Sequence, residues 1–83
     1  MRIVTEIPQE DFKITIYSWN GKYLVKFERG NYEQTYKVSE LDLTGDEEIR
    51  KLIEDKYFLK SVKERFISMS KDFNEGLSRI YSL

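Results

Sequence analysis

The sequence predicts an α+β fold: a four-stranded, mostly antiparallel sheet over about residues 2–39, then two C-terminal helices at about 45–55 and 58–81. The strands form a meander, and the second helix is long and packs on one sheet face. Three observations carry this reading. Apolar and polar residues alternate with period two before and after Asn20-Gly21. Asn-Gly is the strongest short hairpin signal. From Thr44 onward apolar residues recur at helical spacing, with no Pro and only Gly76 as a breaker.

A first strand runs from Ile3 to Ile7, and Pro8 ends it or sets it at an edge. Its place in the sheet is left open. In the second strand Phe12, Ile14 and Ile16 alternate with Lys13, Thr15 and Tyr17, giving one dry and one wet face. Taking Asn20-Gly21 as a two-residue loop fixes the register. Ile16 then faces Val25 and Ile14 faces Phe27 on one side, while Tyr17 faces Leu24 and Lys13 faces Glu28 on the other. The next turn lies near Arg29-Gly30-Asn31. An even loop pairs Val25 with Tyr36 and Tyr23 with Val38, whereas a three-residue loop would mismatch the faces. The even loop sets Glu28 opposite Glu33, a like-charge pair at the exposed end.

Thr44-Gly45-Asp46-Glu47 reads as a capping box, with Glu47 reaching back to the cap. On a helical wheel Ile49, Leu52, Ile53 and Tyr57 share one face, and Leu59, Val62, Phe66, Met69, Phe73, Leu77 and Ile80 share another, about 120° away. One straight helix cannot aim both stripes at one sheet. A rod from 45 to 81 would also reach about 55 Å, against strands of about 23 Å. A break between Asp55 and Ser61 follows, with Ser61-Val62-Lys63-Glu64 as a second capping box. The alternative is a continuous helix that protrudes into a partner subunit.

The 83 residues fit one domain, 1–83, with a thin stability margin that suits an oligomer. There is no Cys, hence no disulfide, thiolate nucleophile or thiolate metal site. Without His the usual proton-transfer group and transition-metal ligand are missing too. The reading is therefore of a non-enzyme with no cofactor and no metal. No apolar run approaches membrane-spanning length, and the first residues lack a signal-peptide pattern, so the expected location is cytoplasmic. The net charge of −1 hides segregation: residues 1–39 carry six basic and five acidic groups, 40–55 two and seven, and 56–83 six and three.

Three constellations could carry function. The wet sheet face displays Lys13, Thr15, Tyr17, Trp19, Lys22, Leu24, Lys26, Thr35 and Lys37. Rings can stack unpaired bases while ammonium groups track phosphates, so Lys13, Tyr17, Trp19, Lys22, Lys26 and Lys37 form a candidate face for single-stranded nucleic acid. The same residue types also serve any solvent-facing strand, Glu28 and Glu33 share the face, and the second helix could cover Tyr17, Trp19 and Leu24 instead. The stripe Val62, Phe66, Met69, Phe73, Leu77 and Ile80 can pack on the sheet or form a helix–helix seam. Ile67, Tyr81 and Leu83 lie off that stripe and call for a second surface. The acids Asp46, Glu47 and Glu48 suit a helix start, and with Glu54 and Asp55 on the helix's wet side the cluster fits that role better than a carboxylate catalytic pair or a cation site.

Four strands followed by a helix is similar in element order to the small single-stranded-DNA-binding transcriptional coactivators and to the Whirly and Pur-type domains. That likeness is one of topology and rests on no motif. The functional expectation is a small soluble interaction module that self-associates as a homodimer or binds another protein. Single-stranded nucleic-acid binding through the basic and aromatic sheet face is the alternative, and a carboxylate enzyme comes third.

Overall fold

The computed structural model describes residues 1–81. Strands β1 (Arg2–Pro8), β2 (Lys13–Trp19), β3 (Lys22–Arg29) and β4 (Tyr32–Ser39) form one antiparallel sheet in the order β1-β2-β3-β4. A short 3-10 turn (Glu40–Asp42) leads to α1 (Asp46–Leu52) and α2 (Lys56–Tyr81). The architecture is the α+β meander with two C-terminal helices that the sequence predicts.

Both hairpin registers match the expected pairings, including Ile16 with Val25, Val25 with Tyr36 and Glu28 with Glu33. Asn20 and Gly21 both have positive φ, 56° and 74°, as a type I′ turn requires. In the second turn only Gly30 is positive, at 58°, which is the sign pattern of type II′. β1 is an edge strand paired with β2, and a bulge between Ile3 and Thr5 breaks its period. The bulge turns Ile3 to the outer face opposite Tyr17, while Val4 and Ile7 both reach the core. Arg50 Nη2 donates to the Val4 carbonyl at 3.4 Å, tying the bulge to α1.

The caps differ from the expected residues. Gly45 (φ 140°) is the N-cap of α1, and it has no side chain to cap with. This moves the third helical position to Glu48, whose Oε2 accepts from both the Thr44 amide and hydroxyl. Glu48 therefore has the role expected of Glu47. The break between the helices falls at 53–55, earlier than expected and meeting the expected Asp55–Ser61 window only at Asp55, and α2 begins at Lys56. Its cap is Asp55, whose Oδ1 accepts from the amides of Tyr57 (3.0 Å) and Phe58 (3.3 Å). Ser61 lies inside the helix, with its hydroxyl donating to the Tyr57 carbonyl. Ser61-Val62-Lys63-Glu64 is thus not a capping box. An acceptor six residues earlier already closes the helix end.

The core lies between the sheet and the helices. Phe12, Ile14, Ile16, Tyr23, Val25 and Phe27 from the sheet meet Ile49, Ile53, Val62 and Phe66. Edge-to-face rings bind α2 to the sheet: Phe58 on Phe27 (5.7 Å) and Tyr36 (5.5 Å). One polar group enters this core. Gln34 stands opposite Phe27 on the dry face and is 7% exposed. Its Nε2 donates to the Val62 carbonyl (3.0 Å), and its Oε1 accepts from Tyr36 (2.9 Å) and Arg65 (3.1 Å). Every polar atom of that amide group therefore has a partner, which is the condition for burying it.

Candidate functional site

α2 sits on the Ile14, Ile16, Val25 and Phe27 face, so the opposite sheet face is open. The six candidate nucleic-acid residues all lie on that open face by register, but they do not form one basic surface. Lys13 pairs with Glu6 of the edge strand at 2.9 Å, and Lys26 pairs with Glu33 at 3.3 Å. Both ammonium groups are held more strongly protonated by these carboxylates. Two of the four lysines are thus neutralised from within the face. Thr15, between them, is 2% exposed despite its outward register. Lys22 and Lys37 remain at the hairpin end, around a hollow of about 230 Å³ shared with Trp19, Asn20 and Leu24. Trp19 is 52% exposed there. A second hollow of about 250 Å³ joins Met1, Tyr17, Leu24, Lys26, Glu33 and Thr35. Met1 and Ile3 add exposed apolar surface beside Tyr17, a contribution that the β1 bulge hid from the sequence pattern.

The apolar stripe of α2 divides into two parts. Val62 and Phe66 are fully buried against the sheet, and Met69 packs at the margin of the core. Beyond Met69 the sheet ends and the helix continues. At 1.5 Å per residue its 26 residues extend about 39 Å, well past strands of seven or eight residues. The molecule is accordingly elongated, 52 × 26 × 20 Å. Phe73 keeps one edge contact, to Tyr32 at 6.2 Å, and is 56% exposed. Ile80 is 64% exposed and Leu77 is half-buried, on the same helical line. Ile67 (54%) and Tyr81 (80%) are exposed off that line, and Leu83 lies outside the described residues. An apolar hollow of about 370 Å³, lined by Asn31, Tyr32, Met69 and Phe73, opens where the sheet stops.

The acidic segment has structural partners. Asp46 accepts from Arg2 (3.2 Å) and from the Tyr23 hydroxyl (2.7 Å). These bonds hold its carboxyl below the usual range and raise the Tyr23 phenol. Glu48 is likewise held low by the two Thr44 bonds. Among the described residues no three acids come together in a metal-binding group, and no helix is long and apolar enough to cross a membrane.

Compared with known proteins, the chain matches no family model, no curated protein and no solved structure.

Proposed function

We propose that this protein is a small non-enzymatic interaction module that self-associates through the C-terminal half of α2. The observation that carries this is the overrun of the helix. The stripe that closes the core through Phe66 continues as Phe73, which meets the sheet only at the edge of Tyr32, and then as Leu77 and Ile80 beyond the core. Large apolar side chains aligned on one face of an exposed helix favour burial against another surface. The test is sedimentation equilibrium of the chain and of Phe73→Glu. The expected result is a mass above the 10.0 kDa protomer that Phe73→Glu returns to monomer, with unchanged circular dichroism. A wild-type monomer at high micromolar concentration would end the proposal.

The second reading is single-stranded nucleic-acid binding at the hairpin end of the open sheet face. It is supported by Trp19 exposed beside Lys22 and Lys37, neither of which is in an ion pair among the described residues. The internal Lys13–Glu6 and Lys26–Glu33 pairs weigh against a longer track. A labelled oligonucleotide titrated at low salt, with Trp19→Ala as control, decides it; no binding closes this reading.

A further inference from the structure

The projecting half of α2 is complementary to itself in one orientation, which rests on the self-association proposed above. Taking Phe66, Phe73 and Ile80 as the first apolar position of successive heptads makes Met69 and Gly76 the second. Asp72 and Arg79 then occupy the same flanking position, one heptad apart. Neither has an ion-pair partner among the described residues.

Gly76 is the key to the register. A glycine inside an exposed helix costs about 1 kcal/mol relative to alanine. Within the protomer nothing calls for it: an added Cβ would meet only the Arg79 guanidinium, at an ordinary 3.8 Å. A large ring arriving from outside would use the space. Phe73 is the ring available, since most of it is exposed.

We infer that two copies of α2 pair antiparallel, with Phe73 of each seated on Gly76 of the other. The remaining contacts then follow. Ile80 of the second copy falls opposite Met69 and enters the apolar hollow between Asn31, Tyr32, Met69 and Phe73. In this orientation Asp72 flanks Arg79 of the second copy, and Arg79 flanks its Asp72, so two opposite-charge pairs border the seam. The two sheets sit at opposite ends of the paired segment, because the stretch packed on each core ends at Met69 and beyond it only Phe73 keeps an edge contact, to Tyr32. A parallel pairing would lose both charge pairs, set Gly76 against Gly76 and bring the sheets side by side.

Charge exchange tests the orientation. Asp72→Arg and Arg79→Asp each turn two rim attractions into repulsions, so each is expected to weaken self-association about tenfold. The double variant is expected to regain it, and an equimolar mixture of the two single variants to form heterodimers. If single exchanges leave association unchanged while Phe73→Glu abolishes it, the antiparallel seating is wrong and self-association stands. If the wild-type chain never associates, both fall. A spin label gives an independent reading, and the absence of cysteine makes Lys60→Cys a single labelling site. Antiparallel pairing sets the two labels about 40 Å or more apart, whereas parallel pairing brings them within about 20 Å. The shorter distance overturns the inference.

Discussion

Phe66 and Phe73 are the same side chain, one heptad apart on one helix, and the structure gives them different roles. Phe66 is 1% exposed and packs on Phe12 at 6.0 Å. Replacing it by alanine removes a full ring from a closed core, at a cost of about 3–5 kcal/mol. A domain of this size has a total stability of about 4–12 kcal/mol, so Phe66→Ala removes about a quarter of it at least. Phe73 is 56% exposed, so only a minor part of its roughly 1.5–3 kcal/mol of burial is realised within the protomer. With the Tyr32 edge contact, Phe73→Ala costs about 1–3 kcal/mol in dilute solution, less than Phe66→Ala. Urea unfolding followed by circular dichroism measures both; Trp19 fluorescence is a poor reporter because that ring stands on the far face of the sheet. The Phe73→Ala deficit should then grow with protein concentration, since association stabilises only the wild type. Equal losses for the two variants in dilute solution, with no concentration dependence, would refute the division of α2 into a sheet-packing half and a free half.

Three further outcomes are expected. Gln34→Ala removes the buried bond to the Val62 carbonyl and the acceptor shared by Tyr36 and Arg65, which keep their own contact at 2.8 Å, and should cost about 1–3 kcal/mol in urea unfolding, with Arg65→Ala non-additive to it in a double-mutant cycle. Asp46 titrates below its unfolded value, so its contribution is present at neutral pH and lost as pH falls through the acid carboxylate range. Asp46→Asn should therefore lower stability at neutral pH and flatten the acid limb of a denaturation titration, leaving the part due to Glu48. Asn20 has φ of 56°, so Asn20→Ala should cost about 1 kcal/mol in thermal unfolding while Asn20→Gly is tolerated.

The meander was legible because its signals are local. Asn20-Gly21 fixes one loop, and parity then assigns every residue of β2 and β3 to a face. The second loop followed because Val25 and Tyr36 match only across an even turn. Signals that depend on a single inserted residue or on a competing acceptor were not legible. Period two cannot show the β1 bulge, so the outward turn of Ile3 and the inward turn of Val4 were missed. Two acids in a row, Glu47 and Glu48, fit the cap pattern, and the glycine cap decides between them. Asp55 precedes Ser61 as an acceptor, and the break takes the first one that serves. Gln34 was detectable in principle: its register places an amide opposite Phe27 on the dry face, which requires buried partners. At the candidate site, the sequence supplied the stripe in full. Where the sheet stops beneath it is a matter of strand length and crossing position, which periodicity does not encode. The neutralisation of Lys13 and Lys26 likewise depends on neighbouring strands that bring Glu6 and Glu33 within reach.

Amide hydrogen exchange, run from sub-micromolar to high-micromolar protein, bears most directly on the claim that the overrunning helix is where the chain meets its own kind. Protection should rise with concentration over residues 69–81 and stay constant around Tyr17, Trp19 and Leu24. A flat profile along α2, or a rise confined to the open sheet face, would contradict it.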